Sequence, residues 1–379
     1  MKLEESTLIK LIKQSQFGLS EIIDFNYVDM DLLYDEAEHQ AVLGIVAPEI
    51  PLEYMNDKWQ QAKDKQIFYY FRYCHVQDEL RLLLDKSSIP FVVIKGNASA
   101  IYYSNPTLRI MGDIDILVPQ DLYDLTKNTL ISSGYVEVRD NGRHSVFKKD
   151  DYVFEVHHHF SHEIDIEELV VNGLENRVVE SIDGHEFPML PKLANGLVLL
   201  EHFRRHLQAA VGLRQIIDWM MFVYREVDDE LWNNEFQPIL HERGMEKLAV
   251  TLTRMCQLYL GLPDDISWCK SADEYLCKLI LDSAISTGNF GKKNGTGTII
   301  ESVGYRIKSN GFFAQLQHAG EYNWEAYKSH RYLKPFCWVY QLIRYISKSI
   351  KTGRSLKQIK SDNFRSKQRY ELIKKLMSE

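Results

Sequence analysis

The sequence lacks any apolar run of the roughly 20 residues that a membrane-spanning helix requires. Its N-terminal segment is charged and helix-patterned, without the apolar region and cleavage site of a secretory signal peptide. The five cysteines form no CxxC pair and no framework spacing, which favours free thiols in a reducing compartment. Internal repeats and low-complexity segments are also missing. These absences argue against a membrane-spanning, disulfide-stapled or repeat protein, and we expect a cytoplasmic one.

Negative charge outnumbers positive charge except at the C-terminal end. The net charge is −8, yet residues 341–379 contain 11 Lys and Arg against 3 Asp and Glu. An acidic body argues against stable DNA binding, although a metal would make a local site for a phosphorylated ligand possible. The basic tail has three interpretations: it docks on the acidic body, contacts an RNA acceptor, or lies on an anionic membrane surface.

Hydrophobic periodicity divides the chain into three parts, with a helical segment over 1–86 and a helical domain with the basic tail over 191–379. Between them, residues 87–190 combine helical and alternating patterns. The strands expected there are "FVVIK", "DIDILV", "YVEVRD", "HSVFKK" and "YVFEVHHHF", with Asn141-Gly142 as a turn. These patterns predict an α+β fold in which a mixed sheet lies between an N-terminal helical segment and a large all-helical C-terminal domain.

Two carboxylates stand one residue apart in the "DIDILV" strand, although aspartate is disfavoured in strands. Alternation places Asp113 and Asp115 on one face, and in a later strand it places Glu155 on the same face as His157 and His159. Adjacent carboxylates repel each other unless a cation lies between them, and Mg²⁺ suits such a pair together with phosphate oxygens. The pattern therefore predicts a magnesium site, with a pair of solvated strand-edge aspartates as the simpler alternative.

The segments "SSIPFVVIKGNASAIYYSNPTLRIMGDIDILV" and "HSVFKKDDYVFEVHH" resemble the bacterial group of uncharacterised nucleotidyltransferases, in the superfamily with the DNA-polymerase-β-like fold. In that group a Lys-Gly pair follows the first strand, an Arg precedes Gly-Asp-x-Asp, and a Glu-x-His strand comes later. The matching positions here are Lys95, Gly96, Arg109, Gly112, Asp113, Asp115, Glu155 and His157. The likeness extends more weakly into both helical flanks. The resemblance implies that the mixed sheet over residues 87–190 is a nucleotidyltransferase catalytic core.

The resemblance implies transfer of a nucleoside monophosphate from an NTP to a hydroxyl, with Mg²⁺ or Mn²⁺ as cofactor. Asp113, Asp115 and Glu155 would be the catalytic metal ligands, and Glu155 could also serve as the base. The expected nucleotide-binding residues are Lys95, Gly96, Asn97, Ser99, Arg109 and His157. Among these, Lys95 and Arg109 are candidate phosphate clamps. One departure is that Asn97 follows Gly96, where the superfamily has Ser or Gly, and that the interval to Asp113 is longer.

The acceptor is left open by the sequence. A sugar, a sugar phosphate or an antibiotic-like hydroxyl is expected first, with tRNA or a protein as the variant. The departure in the Gly-Asn loop supports a different reading, in which an inactive relative binds a nucleotide or acts in an assembly, for example in surface-polysaccharide production. A protein that only binds a nucleotide would not need the like charges of Asp113, Asp115 and Glu155 close together. An enzyme is therefore the favoured interpretation.

Three further groupings have simpler explanations. Glu155, His157 and His159 could bind zinc, but a strand presents them almost in line and no fourth ligand is evident. His202 and His206 lie on one helix face without a metalloprotease glutamate, so we expect packing or surface roles. The spacing of Arg214 and Asp218 predicts a helix ion pair, with lining of the nucleotide cleft as the alternative.

Overall fold

A computed structural model describes residues 1–140, 142–160, 165–293, 311–351 and 356–377. Its centre is a seven-stranded mixed sheet with the spatial order β3-β4-β5-β2-β1-β7-β6. The strands are β1 Val92–Val93, β2 Ile114–Leu117, β3 Val136–Asp140, β4 His144–Lys149, β5 Tyr152–His157, β6 Val178–Ile182 and β7 His185–Met189. The strand β2 pairs in parallel with β5 and antiparallel with β1, while β1 pairs in parallel with β7. The site-bearing strand β2 is therefore central and is shielded from solvent on both edges.

Short helices and turns surround the sheet and connect its strands. They are α5 Asn97–Ala100, α6 Tyr123–Ser132 and α7 Glu167–Glu175, together with 3₁₀ turns at Pro106–Leu108 and Gln120–Leu122. The side chains of Ile114 and Ile116 in β2 are fully buried. Because strand residues alternate, this apolar face turns Asp115 toward the opposite side of the sheet, where the cleft described below opens.

The N-terminal helices pack beside the sheet. They are α1 Leu3–Phe17, α2 Met30–His39, α3 Leu43–Val46 and α4 Asp57–Lys86, with 3₁₀ turns at Phe25–Tyr27, Ala47–Glu49 and Leu52–Tyr54. The start of α4 is fixed by Asn56, whose side chain accepts a hydrogen bond from the Trp59 N–H. The α4 helix contacts β7 and buries Tyr73, Leu80 and Leu84, so this long helix packs against the sheet.

All described elements after β7 are helical. They are α8 Lys192–Ala209, α9 Leu213–Glu226, α10 Asp229–Leu231, a π-helical turn Trp232–Phe236, α11 Gln237–Glu242, α12 Glu246–Leu260, α13 Glu274–Thr287, α14 Phe312–Asn323, α15 Glu325–Ser329, α16 Cys337–Lys351 and α17 Leu356–Leu376, with 3₁₀ turns at Asn289–Gly291 and Arg331–Phe336. The α8 and α9 helices contact each other, and they also contact α7 and α5 respectively. No helix among the described residues combines the length and the hydrophobicity needed to cross a bilayer.

The end of the basic tail is docked on the protein body. Leu372, Ile373 and Leu376 of α17 are buried, and α17 contacts α8, α12 and α13. These contacts match the docking interpretation of the tail. No described contact supports an RNA-binding or membrane-binding role for it.

The predicted α+β class with helical flanks is confirmed, and the sequence missed one hairpin. Strands β6 and β7 were not predicted, although Asp183-Gly184 between them is a hairpin signal. Both residues have positive φ, 50° and 83°, as a type I′ turn requires. The first strand of the pair is largely exposed, so its burial pattern does not alternate. Asn141 of the predicted Asn141-Gly142 turn lies outside the described residues.

Candidate active site

A cleft of about 660 Å³ opens between the sheet and the helices α8 and α9. Asp113, Asp115 and Glu155 line one side of it. In the parallel pair β2–β5, Asp115 lies directly beside Glu155, and Asp113 immediately precedes β2 on the same face. The three predicted carboxylates therefore converge on one cleft. The pairing of the two strands, rather than spacing along the chain, brings Glu155 to the others.

Lys95 and Gly96 form a strained turn at the edge of the carboxylate cluster. Both have positive φ, 62° and 46°, and only glycine adopts such values without cost. A Cβ atom on Gly96 would lie 2.2 Å from the hydroxyl oxygen of Tyr73, so no larger residue fits without a shift. The turn directs the Lys95 Nζ to within 2.6 Å of Asp115 Oδ1. The Lys-Gly pair thus supplies a positive charge to the buried carboxylate.

His157 follows Glu155 by two residues in β5 and joins the same cluster. Its Nε2 lies 3.2 Å from Asp115 Oδ1 and 3.4 Å from Glu155 Oε2. Burial disfavours the imidazolium, but hydrogen bonds to Asp115 and Glu155 outweigh it and raise the pKa of His157 above its ordinary value. The ring therefore bridges the two carboxylates and fixes their positions.

The three carboxyl groups differ in their electrostatic surroundings. Burial, followed by the charges of Asp115 and Glu155, raises the pKa of Asp113. Burial also opposes ionisation of Asp115, but Lys95 and His157 outweigh it and hold the pKa of Asp115 far below its usual range. The hydrogen bond from His157 lowers the pKa of Glu155. Asp115 and Glu155 are thus kept ionised. The ionised form of Asp113 is disfavoured by burial and by their negative charge, and a nearby cation would stabilise it.

The cluster has the donor set of a divalent cation site. Potential ligand atoms of Asp115, Glu155 and His157 lie within 4.8 Å of one another, and the carboxylate of Asp113 lines the same cleft. Carboxylate oxygens are suited to Mg²⁺ and Mn²⁺. The alternative zinc set is not assembled, because His159 Nδ1 lies 3.2 Å from Glu167 Oε1 instead.

Arg109 has different partners from those expected for a phosphate clamp. Its Nε and Nη2 donate to the two carboxylate oxygens of Asp218 at 2.7 and 2.9 Å, and both side chains are buried. The hydroxyl of Tyr103 donates to the same carboxylate at 2.7 Å. These contacts do not support a phosphate clamp at Arg109, because the bidentate edge of its guanidinium is already occupied. The pair instead ties the segment before Asp113 to α9.

The same pair replaces the predicted ion pair within α9. Asp218 bonds across to Arg109, while Nη1 of Arg214 lies 3.5 Å from the carbonyl oxygen of Ile110, at the limit of a hydrogen bond. Sequence spacing favoured Arg214 for Asp218 because the two are one helical turn apart, but Arg109 offers a two-point fit in a buried setting. Arg214 lines the cleft.

Asn97 and Ser99 do not reach the cleft with their side chains. Both are completely buried, and the Asn97 amide faces the sulfur of Cys74 at 3.5 Å. They follow Gly96 in α5, whose first turn points inward to the protein core. These positions do not support side-chain contacts to a phosphate at Asn97 or Ser99.

Arginine residues that the sequence analysis did not assign to a site also line the cleft. They are Arg143 from the turn before β4 and Arg204 and Arg205 from α8, beside Arg214 from α9, for which cleft lining was the predicted alternative. Arg204 is paired with the buried Glu201 at 2.6 and 2.8 Å. Arg205 follows in "EHFRRH" and interacts electrostatically with Glu201 and, more weakly, with Glu155. The basic pair in that segment was the available signal, but its facing direction depends on how α8 packs.

His202 and His206 also line the cleft, which differs from the packing or surface role predicted for them. Their rings lie in contact, with centroids 4.3 Å apart. Burial, followed by electrostatic interaction with His206 and Lys95 nearby, holds the pKa of His202 well below its ordinary value. Burial, followed by the charges of Lys95 and Arg214, lowers the pKa of His206 to about 3. Both imidazoles are therefore neutral in a cation-rich wall and can donate and accept hydrogen bonds.

The low pKa of His206 makes stability depend on pH in the acidic range. Below its unfolded pKa of about 6.5, the unfolded chain binds a proton that the folded chain excludes until the pH approaches 3. The free energy of unfolding therefore decreases as the pH is lowered through this window. We expect wild type to lose about 2 kcal/mol more than His206→Gln between pH 7.5 and 5.0 in urea titrations.

The matched control for this measurement is His241→Gln. His241 is largely exposed and pairs with Glu246 at the surface. It should leave the pH dependence of wild type nearly unchanged. Equal slopes for wild type and His206→Gln would contradict a neutral, buried His206.

The family described as "Uncharacterised nucleotidyltransferase" matches residues 26–261, which is more than half of the chain. A solution structure of the antibiotic-resistance factor ANT(2″)-Ia aligns with a TM-score of 0.36 at 10% identity, over 45% of this chain and 91% of that chain. A crystal structure of ANT(2″)-Ia in complex with adenylyl-2″-tobramycin aligns with a TM-score of 0.32 at 10% identity, over 45% and 96%.

A third solved structure is that of an antigenic nucleotidyltransferase-like protein from Paracoccidioides brasiliensis. It aligns with a TM-score of 0.31 at 18% identity, over 46% of this chain and 90% of that chain. No curated protein matches the sequence.

Proposed function

The chain belongs to the uncharacterised nucleotidyltransferase family, and from this we propose that its cleft binds an NTP with Mg²⁺ or Mn²⁺ and transfers the nucleoside monophosphate to a hydroxyl acceptor. The observation that carries the proposal is the pairing of Asp115 with Glu155 on adjacent parallel strands, facing the cationic ends of α8 and α9. The carboxylates on one side of the cleft suit a metal ion, and the arginine side chains on the other side suit the phosphates that the metal ion would contact.

In the proposed reaction, the acceptor oxygen forms a bond to the α-phosphorus while the bond from that phosphorus to the β-phosphate oxygen breaks. Pyrophosphate leaves, and the acceptor proton passes to a base. Glu155 suits this role because the hydrogen bond from His157 keeps it ionised. The metal, held by Asp113, Asp115 and Glu155, would polarise the reacting phosphate. Arg205 and Arg214 line the cleft and would stabilise the negative charge of the triphosphate during transfer.

The size of the cleft bears on the acceptor. Its volume of about 660 Å³ lies within the range of roughly 300–1,000 Å³ that is usual for small-ligand sites. The NTP and the acceptor hydroxyl would share this volume, which favours a small hydroxyl compound, such as a sugar, sugar phosphate or antibiotic-like molecule, as the proposed acceptor ahead of tRNA or a protein. One observation favours the inactive nucleotide-binding alternative: the side chains of Asn97 and Ser99 are buried away from the cleft.

Thermal unfolding with each of the four NTPs, with and without Mg²⁺, tests the nucleotide site. We expect at least one NTP with Mg²⁺ to stabilise wild type, by about 2.7 kcal/mol at a concentration near a hundred times its Kd. Asp113→Asn should lose this stabilisation, because Asp113 is a proposed ligand whose pKa is raised by burial and then by the charges of the other carboxylates. Asp121→Asn, an exposed carboxylate outside the cleft, is the matched control.

The outcomes separate the two candidate functions. Stabilisation without any pyrophosphate release across a panel of hydroxyl acceptors would favour the inactive relative. No stabilisation by any NTP at millimolar concentration, with Mg²⁺ or Mn²⁺, would contradict both functions.

A further inference from the structure

An aromatic side chain stands exposed at the helical rim of the cleft. Phe290 lies in the 3₁₀ turn Asn289–Gly291 after α13, lines the cleft and is 55% exposed. Its backbone has φ 52° and ψ 25°, a left-handed conformation that is an outlier for a bulky residue. Glycine or asparagine would adopt it at lower cost, so local conformation does not explain a phenylalanine here.

The turn is held in this strained shape by its surroundings. The side-chain oxygen of Asn289 accepts a hydrogen bond of 2.6 Å from the buried Gln215 amide. A Cβ atom on Gly212 would lie 2.6 Å from the Asn289 Cα, so the start of α9 touches the turn directly. Strained residues that are over-determined by their neighbours cluster at ligand sites, and this one holds its ring out over the cleft.

The ring is bordered by polar groups that face the same space. The Arg214 guanidinium carbon lies 5.8 Å from the Phe290 ring centroid, and the His206 ring lies edge-on at 4.9 Å. The Nη1 atom of Arg214 is also 3.8 Å from the position of a Cβ on Gly112, next to Asp113. A single guanidinium therefore separates the aromatic ring from the carboxylate end of the cleft.

We propose that Phe290 is the stacking platform for the base of the bound NTP, with Arg214 between the base and the phosphates and His206 at the base edge. This inference rests on the proposed function. Bases stack on exposed aromatic rings whatever their sequence identity, and a neutral imidazole offers one donor and one acceptor to a base edge. The cations of α8 and α9 serve the phosphates, which leaves the uncharged end of the ligand for the ring.

The test compares the binding of two ligands, the NTP that gives the largest thermal shift and inorganic tripolyphosphate, both with Mg²⁺, by calorimetry. Phe290→Ala is expected to raise the Kd for the NTP by about tenfold or more, which is within the range for loss of base stacking. Its Kd for tripolyphosphate should change less than twofold, because that ligand has no base. Phe290→Tyr retains the ring and should bind the NTP like wild type.

The control is Phe68→Ala, which removes a ring of similar exposure, 58%, from α4 outside the cleft, and should change neither Kd. Equal weakening of both ligands by Phe290→Ala would indicate a structural role and overturn the inference. Unchanged NTP binding, including the case in which only the KM of the acceptor rises, would also overturn it. If wild type bound neither ligand, the proposed function itself would fail, an outcome distinct from these two.

Discussion

Asp115→Asn is expected to lower the rate of nucleotidyl transfer by about a thousandfold or more. Asp115 is 7% exposed, is paired with Lys95 at 2.6 Å and lies beside Glu155 in register. Loss of its charge removes the most strongly ionised ligand of the proposed metal site, and a thousandfold corresponds to about 4 kcal/mol of lost transition-state stabilisation. The measurement is pyrophosphate release from the NTP chosen by thermal screening, with an acceptor found by screening hydroxyl compounds.

Asparagine keeps the shape of the side chain and still accepts a hydrogen bond from Lys95, so the variant should stay folded. Far-UV circular dichroism and the thermal midpoint without ligand check this. Asp121→Asn, which removes an exposed carboxylate six residues downstream, should transfer at the wild-type rate. If Asp115→Asn kept about a tenth of the wild-type rate or more, Asp115 would not be a catalytic metal ligand.

Asp218→Ala is expected to lower the free energy of unfolding by about 3–5 kcal/mol, the range for breaking one side of a buried ion pair. The variant leaves the guanidinium of Arg109 buried without its two acceptors and the hydroxyl of Tyr103 without its partner. Because the pair joins the segment before Asp113 to α9, NTP binding should weaken as well. Urea unfolding, followed by circular dichroism, measures the change.

A double variant distinguishes the pair itself from the cost of an orphaned charge. Arg109→Met combined with Asp218→Leu should be less destabilised than either single variant, since apolar replacement of both partners removes the unpaired group. Glu325→Ala, which breaks the exposed pair with Lys328, should cost less than about 1 kcal/mol. Additive losses in the double variant would contradict an energetic coupling between Arg109 and Asp218.

The structure brings most of the residues predicted for the site to one cleft. The carboxylates, Lys95, Gly96 and His157 line one cleft, as the alternation of two strands and the Lys-Gly turn indicated. Arg109 lines the cleft too, but its guanidinium is bonded to the carboxylate of Asp218. The side chains of Asn97 and Ser99 face the core, because the first turn of α5 points inward. The sequence could not show these facts, since each depends on the packing of an element against residues far along the chain.

The cleft wall opposite the carboxylates was the part least accessible to sequence reasoning. Arg205, Arg214 and Phe290 come from three separate segments, and none belongs to a recognisable motif. Phe290 gives no sequence signal at all, because its place in the cleft wall depends on a positive φ that phenylalanine normally avoids. The hairpin Asp183-Gly184 did carry a signal, but the exposed strand before it lacks the alternation that reveals a strand.

The sequence by itself determined where most strands and helices lie, and that Asp113, Asp115 and Glu155 each face one side of their own strand. Those properties follow from the local period of side-chain direction, which is two residues in a strand and 3.6 in a helix. Only the tertiary structure decided that Glu155 stands beside Asp115, that Arg109 bonds Asp218, and that α8 and α9 face the carboxylates. These contacts join residues far apart in the chain, and which charges meet depends on strand order and helix packing, for which local periodicity carries no information.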